Sequence, residues 1–168
     1  GLDRSGVRRY VTLALRAAHE GFAGRLLEVP VGTGCLSLPV YAELPEADIT
    51  CLDYAPAMLA AARARAEALG IRNVTFTEGD VGHLTFDDAA FDAAVSINGF
   101  HAFPDKEAAW SEVHRVLRPG GRLTGSVFIL GKNPRTTFVV TQLYQRMGFF
   151  TPPYDTEESL TMRLQKLY

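Results

Sequence analysis

A turn that contains glycines and follows an acidic residue is the most informative chemical feature of the sequence. After Glu28 come the turn residues Pro30, Val31, Gly32, Thr33 and Gly34. The glycines allow a sharp turn and a close approach of the backbone to a ligand. The pyrophosphate of a dinucleotide would favour positive potential here, whereas the carboxylate favours a cation such as the amino group of a methionine moiety. A tight loop without a ligand is the alternative interpretation.

Two further acidic residues follow later apolar runs. Asp53 stands about 20 residues after the glycine turn, where a carboxylate can accept hydrogen bonds from both ribose hydroxyls. The alternative is that Asp53 caps a helix beginning near Pro56. Asp80 follows Gly79, and its carboxylate could accept a hydrogen bond from an adenine amino group while the Val81 backbone contacts a ring nitrogen. A turn without a ligand explains Gly79 and Asp80 equally well.

Alternating strand-like and helix-like segments would bring these carboxylates together. Apolar runs predict five strands, at Arg25–Val29, Ile49–Asp53, Val74–Glu78, Phe91–Ile97 and Arg122–Leu130. Helical segments are predicted between them at Gly34–Glu43, Pro56–Leu69 and Lys106–Leu117. Runs without strict alternation are typical of strands covered on both faces. We therefore predict one α/β domain over residues 1–168, a Rossmann-like, doubly wound, mostly parallel sheet in three αβα layers.

Helical spacing also predicts a helix before the first strand and another near the end of the sequence. Apolar residues recur at helical intervals over Arg4–Ala18. Thr156 precedes two acidic residues, as is typical of a helix start. An apolar stripe follows, formed by Leu160, Leu164 and Leu167. Upstream, Thr136–Met147 has some helical character, and residues 149–155 are rich in aromatic residues and proline.

The combined segments resemble class I S-adenosylmethionine-dependent methyltransferases, in the ubiquinone/menaquinone-biosynthesis branch (methyltransferase type 11). The first motif of that family is an acidic residue with a glycine turn, as in Glu28–Gly34. Its second and third motifs are similar to Asp53–Leu59 and Glu78–Val81, and a later landmark to Leu117–Gly121. The resemblance covers roughly Arg25–Phe128, and its specificity comes from the combination rather than from any one motif.

The resemblance implies an enzyme that uses S-adenosylmethionine, releases S-adenosylhomocysteine and methylates a small molecule. Glu28 and the backbone from Pro30 to Gly34 would then hold the methionine end. Asp53 would hold the ribose, and Tyr54 and Met58 would pack near the adenosine. Asp80 and Val81 would contact the adenine. The region of the sulfonium would be contacted by the residues after the fourth strand, namely Ser96, Ile97, Asn98, Gly99, Phe100 and His101.

Methyl transfer from a sulfonium is an in-line displacement, so the protein chiefly aligns donor and acceptor and excludes water. A general base is required only if the acceptor must lose its proton early. His101 is the candidate base, because it follows the fourth strand beside the expected methyl group. A packing histidine in a loop is the alternative. Asn98 could position an acceptor or cap the turn.

The acceptor pocket is expected between the N-terminal helix around Tyr10 and residues 131–155. The aromatic and methionine side chains there are Phe138, Tyr144, Met147, Phe149, Phe150 and Tyr154. Such a density of aromatic residues either covers the core or lines a pocket, and in the second case the acceptor is apolar or aromatic.

Two features depart from the family pattern. Pro30 occupies the place of the motif's first glycine, which stiffens the turn and removes one backbone donor. The antiparallel pair of strands that usually ends the fold is missing, which would leave the fifth strand as an exposed edge. We therefore expect the sequence to be part of a longer protein.

Composition excludes some classes of function. The net charge of −2 and the pI of about 6.1 lack the basic excess of a nucleic-acid-binding protein. No apolar run approaches the ~18 residues of a membrane span, and Cys35 and Cys51 lack metal-ligand spacing. We therefore predict a cytoplasmic protein without a metal, a membrane span or a nucleic-acid partner.

Two rival functions remain open at the level of the sequence. A nicotinamide-dependent oxidoreductase shares the glycine turn and Asp53, but it does not explain Glu28 and Asp80 together. Ser37 also stands where the G-x-G-x-x-G spacing requires its third glycine. A non-catalytic S-adenosylmethionine-binding module is the second rival, and Pro30 is its main support.

Overall fold

The computed structural model describes residues 4–130, 134–144 and 150–167. Five strands are present: β1 (Arg25–Glu28), β2 (Asp48–Asp53), β3 (Val74–Glu78), β4 (Phe91–Ile97) and β5 (Leu117–Ser126). The α-helices are α1 (Arg4–Ala14), α2 (Leu38–Tyr41), α3 (Pro56–Ala68), α4 (Lys106–Val116), α5 (Pro134–Val139) and α6 (Glu157–Leu167). A 3₁₀ turn covers Val81–His83, and a π-helical turn, Val140–Tyr144, continues α5.

The strands form one parallel sheet in the order β3-β2-β1-β4-β5. The chain first builds outward from β1 to β3 and then crosses to the other side of β1 for β4. Open α/β sheets bind ligands outside the carboxyl ends of the strands at such a switch point. Glu28 pairs in register with Cys51 on β2 and with Val95 on β4, while Asp53 pairs with Glu78 on β3.

Helices cover both faces of the sheet, because successive strand residues point to opposite sides. Leu26 belongs to a core cluster with Leu59 of α3 and with Leu15, which directly follows α1. The next residue, Leu27, belongs to a second cluster with Val113 of α4. The predicted three-layer αβα architecture is therefore confirmed.

Several helix boundaries follow from local chemistry and match their predictions. Pro56 stands in the first turn of α3, where the missing N–H costs nothing. Gly70, with φ +68°, follows the end of that helix. Asp105 caps α4, since its Oδ1 accepts a hydrogen bond from the Ala108 N–H at 2.9 Å.

Other boundaries differ from prediction. The helix expected over Gly34–Glu43 is reduced to α2, because tight turns such as Gly34 N–H to Val31 O (3.0 Å) precede it. The N-terminal helix ends at Ala14, not at Ala18. The fifth strand was expected at Arg122–Leu130 but extends over Leu117–Ser126. It begins earlier because Leu117 already pairs with Phe91. A shift of register between Phe91 and Ala93 then accommodates residues 118–121, which contain the proline and the two glycines.

The last part of the chain completes the layer on the α4 side. The predicted apolar stripe of Leu160, Leu164 and Leu167 lies on α6 and packs against the second core cluster. Within residues 4–130, 134–144 and 150–167 every strand pair is parallel and β5 lies at the edge. None of the helices in this described part is long and apolar enough to cross a membrane.

Candidate functional site

Two neighbouring cavities open at the carboxyl edge of the sheet. The larger, of about 680 Å³, lies over β2 and β3, and the smaller, of about 260 Å³, lies over the glycine turn after β1. Pro30 lines both of them. The larger volume is within the range of about 300–1,000 Å³ that is usual for ligand pockets. Together they form an elongated site across three strand ends.

Asp53 stands at the floor of the larger cavity and is almost completely buried. Its Oδ2 accepts a hydrogen bond from the Gly32 N–H at 2.8 Å, and its Oδ1 accepts one from the Ala55 N–H at 2.9 Å. The helix-capping interpretation is therefore only partly right. Asp53 binds the backbone of Ala55, the N-cap residue of α3, but its side chain does not cap the N–H groups of the helix itself. Asp53 instead joins the glycine turn of β1 to the turn after β2.

Tyr54 and Met58 present apolar surface to solvent at the mouth of this cavity. Tyr54 is 77% exposed and Met58 is 41% exposed, although both line the cavity. Large apolar side chains left open beside a concave surface are typical of a binding site. Their packing against adenosine stays a prediction.

Asp80 and Val81 form the far wall of the larger cavity. The Oδ1 atom of Asp80 accepts a hydrogen bond from the Gly82 N–H at 2.8 Å and so caps the 3₁₀ turn. Val81 is buried beneath it. The turn interpretation of Asp80 is thus correct, and the same residue also borders the cavity, so the two interpretations are compatible.

The smaller cavity is lined by Glu28, by the whole turn from Pro30 to Gly34, and by Asn98. Gly32 and Gly34 have φ values of +55° and +64°, in the left-handed region that favours glycine. A Cβ at Gly34 would also lie 2.3 Å from Leu38 Cδ1. The turn therefore needs glycine at this position both for its backbone conformation and for packing.

Glu28 carries the most perturbed carboxyl group of the site. Burial raises its pKa to about 8, although the nearby Ser37, Tyr41 and Cys51 side chains lower it in part. Cys51 Sγ lies 3.7 Å from Oε2, whereas the Ser37 and Tyr41 hydroxyls meet no hydrogen-bond geometry with a described partner. With this pKa the carboxyl group is largely protonated at neutral pH.

Pro30, the residue in place of the usual glycine, packs tightly on the loop after β4. The Val29–Pro30 peptide bond is cis. A Cβ at Gly99 would lie only 2.3 Å from Pro30 Cδ. The two positions are complementary in size, because the ring at residue 30 uses the space that a side chain at residue 99 would need.

Phe100, which the resemblance places near the sulfonium, packs inward. Its ring stacks on Trp110 with centroids 3.5 Å apart and packs edge-on against Phe103 at 5.4 Å. It is almost fully buried in the second core cluster, and the described lining of the two cavities does not include it. Phe103, which the sequence analysis did not single out, lines the larger cavity instead.

His101 lies beneath the segment that begins at Phe150. Its ring stacks on Phe150 with centroids 4.4 Å apart, and its Nδ1 accepts a hydrogen bond from the Phe128 N–H at 3.2 Å. Burial, helped by the positive charge of Lys106, lowers its pKa to about 4. The described lining residues of the two cavities do not include His101. Its role as a base stays a prediction.

Lys106 fastens the segment 150–155 to the start of α4. Its Nζ donates hydrogen bonds to the carbonyl oxygens of Thr151 and Pro153 and lies 5.9 Å from the centre of the Tyr154 ring. At the other end, Asp155 forms an ion pair with Arg163 of α6 at 2.6 Å. This part of the predicted acceptor-covering segment is thus held against α4 and α6.

Other residues expected around an acceptor are only partly described. Phe138, on α5, is 67% exposed, and Tyr10 lies partly buried where α1 reaches β5. Met147, Phe149 and the Tyr144 side chain lie outside the described residues. Three polar neighbours of the site were not predicted from the sequence: Ser126, Ser37 and Tyr41. Ser37 and Tyr41 are four residues apart and so share one helical face, a spacing from which they could have been predicted.

Comparison with known proteins identifies the family of the chain. Residues 26–121 match the family described as the methyltransferase domain, which is more than half of the chain, and the chain belongs to that family. The demethylmenaquinone methyltransferase of Thermus thermophilus is 46% identical over 123 residues, 73% of this chain and 54% of that protein. The chain spans about half the length of the curated relatives that it matches.

Solved structures confirm the Rossmann-like methyltransferase fold. The YcgJ protein of Bacillus subtilis superimposes with a TM-score of 0.81 at 22% identity, covering 95% of this chain and 67% of its own. The [4+2]-cyclase SpnF superimposes with a TM-score of 0.77 at 24% identity, covering 98% and 58%. These identities show the fold alone, and the cyclase is a reminder that one fold can serve different reactions.

Proposed function

We propose that this chain binds S-adenosylmethionine across the two cavities and transfers its methyl group to a small, apolar aromatic acceptor. The observation that carries the proposal is the placement of Glu28, Asp53 and Asp80 at three adjacent strand ends, around cavities that Pro30 joins. Each carboxylate matches one polar part of the cofactor: the ammonium group, the ribose hydroxyls and the adenine amino group.

The residues of the site then divide the work along the cofactor. Glu28 binds the ammonium group and gives up its own proton in doing so, while the turn from Pro30 to Gly34 supplies backbone contacts. Asp53 orients the ribose, and Tyr54 and Met58 cover the adenine face. When bound, the cofactor supplies an electrophilic methyl group on a sulfonium, so the protein mainly positions and desolvates the partners.

We propose a reduced naphthoquinone, of the demethylmenaquinone type, as the acceptor. The support is the relative from Thermus thermophilus, which is named for that compound, and the aromatic side chains near the site. In a hydroquinone the ring carbon supplies the electron pair of the new C–C bond, and the C–S pair leaves with sulfur. The ring then loses its C–H proton to water, which restores the aromatic system.

We extend three further predictions as proposals. The chain would act as one domain in which residues 131–155 cover the acceptor. The protein would not bind nucleic acid, since it lacks a basic excess. The site would work in the cytoplasm, where S-adenosylmethionine is made.

The test is to incubate the protein with methyl-labelled S-adenosylmethionine and 2-prenyl-1,4-naphthohydroquinone and to identify the product by mass spectrometry. We expect a C-methylated ring and stoichiometric S-adenosylhomocysteine. Thermal shifts with S-adenosylhomocysteine and with NADH test the binding step separately. Stabilisation by NADH alone would favour an oxidoreductase. Stabilisation by S-adenosylhomocysteine without transfer to any naphthohydroquinone would favour the non-catalytic module.

A further inference from the structure

A closed ring of hydrogen bonds ties α1 to the ends of β4 and β5. Tyr10 Oη lies 2.6 Å from Ser126 Oγ, Ser126 Oγ lies 3.1 Å from Asn98 Oδ1, and Asn98 Nδ2 lies 3.1 Å from Tyr10 Oη. The three residues come from distant parts of the chain, since Tyr10 and Ser126 are separated by 116 positions. We call these residues the Tyr10–Asn98–Ser126 ring.

The donors and acceptors of the ring are consistent with one direction around it. Ser126 has a single hydroxyl proton and donates it to Asn98 Oδ1. Tyr10 must therefore donate to Ser126, and the Asn98 amide donates to Tyr10. Within the described part of the chain, one N–H of Nδ2 and one lone pair of Oδ1 are left without a partner. The amide can thus still accept one hydrogen bond and donate another.

Two observations indicate that Asn98 does more than connect α1 to the sheet. Asn98 has a φ of +56°, a left-handed conformation that a side chain adopts at a cost, although asparagine tolerates it better than most. It is also exposed and lines the smaller cavity, next to the predicted methionine end. A tether alone would not require an amide facing a cavity.

We propose that Asn98 is a specificity-determining residue that binds the acceptor hydroxyl adjacent to the reacting carbon, with Tyr10 and Ser126 as positioning residues that fix its amide. The inference rests on the proposed function. Asn98 Oδ1 accepts a hydrogen bond from the hydroxyl group of the hydroquinone, and Nδ2 can donate one to an acceptor oxygen. A hydroxyl that donates to an amide oxygen makes its ring more electron-rich, which favours attack on an electrophilic methyl group.

The test compares two acceptors, 2-prenyl-1,4-naphthohydroquinone and its 4-O-methyl ether, which lacks the hydroxyl next to the reacting carbon. Their dissociation constants are measured on protein saturated with S-adenosylhomocysteine. We expect wild type to prefer the hydroquinone by about tenfold, the worth of one buried hydrogen bond. Asn98→Gly, which also suits the positive φ, should abolish this preference, and any loss of S-adenosylhomocysteine affinity, whose methionine end shares the smaller cavity, should be clearly smaller than tenfold.

The variants of the ring separate positioning from stability. Ser126→Ala and Tyr10→Phe should each reduce the preference, whereas Ser126→Thr, which keeps the hydroxyl, should restore it. Asn73→Ser is the matched control, because the Asn73 amide holds the carbonyl oxygens of Leu44 and Ala47 at the opposite edge of the sheet. We expect that control to lower thermal stability and to keep the preference for the hydroquinone.

An unchanged preference in Asn98→Gly would overturn the inference, as would a loss of S-adenosylhomocysteine affinity as large as the loss of preference. The proposed function is judged by a separate measurement. Discrimination in binding without any methyl transfer would count against that function and still support the role of Asn98. Methyl transfer without discrimination between the two acceptors would support the proposed function and count against the role of Asn98.

Discussion

The two halves of the site are built in different ways. The half proposed to bind the cofactor, called the cofactor half, lies at the ends of β1, β2 and β3, and each strand contributes a carboxylate at or just after its last residue. The half proposed to bind the acceptor, called the acceptor half, lies at the ends of β4 and β5 and joins α1, α4 and the segment 150–155 through contacts such as Lys106 to Thr151. The first half is an arrangement of local motifs, whereas the second depends on contacts between distant parts of the chain.

This difference predicts that the two halves can be damaged independently. A change in the cofactor half should weaken S-adenosylhomocysteine binding and leave acceptor selection intact, and a change in the acceptor half should do the opposite. A variant that damages both halves equally would show that they are coupled.

Asp53→Ala should have the largest effect on the cofactor half. Its carboxylate is the predicted ligand of the ribose hydroxyls and also accepts the Gly32 N–H, so the variant should lose on the order of 1–3 kcal/mol of cofactor binding. Calorimetric titration with S-adenosylhomocysteine measures this loss. Asp53→Asn, which keeps one acceptor oxygen, should lose less. Unchanged affinity in Asp53→Ala would mean that the cofactor lies elsewhere.

Lys106→Met should chiefly affect the acceptor half. The variant keeps an unbranched side chain one atom shorter but removes the donor for the carbonyl oxygens of Thr151 and Pro153. We expect the segment 150–155 to exchange its amide protons faster and the KM for the hydroquinone to rise by about threefold to tenfold. Affinity for S-adenosylhomocysteine should stay within the error of titration. An equal loss of cofactor affinity would show that the halves are coupled.

The protonation of Glu28 predicts a pH dependence confined to the cofactor half. Because burial raises the pKa of this carboxyl group to about 8 in the empty protein, binding a cation below that pH must displace a proton. Cofactor affinity should therefore increase as pH rises towards 8 and then level off. Proton release is measured by titration in two buffers with different ionisation enthalpies. Glu28→Gln should bind more weakly and lack this released proton.

The same raised pKa determines the sign of the effect on stability. The folded protein holds the Glu28 proton more tightly than the unfolded chain, whose carboxyl has the ordinary value of 4.5. This contribution to the free energy of unfolding is fully present below pH 4.5 and is lost as pH rises through about 8. Denaturant unfolding of the protein without cofactor against pH measures the slope. Glu28→Gln should show a shallower slope, and an unchanged or steeper slope would contradict the assignment.

His101→Gln should have the smallest effect on turnover. A histidine whose pKa is lowered to about 4, and whose Nδ1 already accepts the Phe128 N–H, is a weak base at neutral pH. We expect less than about a tenfold fall in kcat, below the roughly 10²–10⁴-fold contribution of a true general base. The pH–rate profile of wild type checks this, since a base role would add an inflection that the variant lacks.

The cofactor half could be predicted from the sequence better than the acceptor half, because it is built from local motifs and not from contacts between distant residues. Pro56, Gly70 and Asp105 act on the backbone within a few residues, so the boundaries of α3 and α4 could be predicted. Likewise the carboxylates at residues 28, 53 and 80 could be assigned to strand ends, because parallel strands end at one edge of the sheet. By contrast, Phe100 was assigned to the cofactor from its position in the chain, and its ring instead stacks on Trp110.

Local patterns in the sequence therefore predict the succession of strands and helices along the chain, the parallel sheet and the acidic character of the cofactor half. Three features could be seen only in the folded chain: Glu28 is buried enough to hold a proton, Gly99 leaves room for Pro30, and Tyr10 and Ser126 orient Asn98. The physical reason is that propensity and motif spacing act over short stretches of chain. Desolvation, steric fit and closed hydrogen-bond rings depend on which distant residues meet.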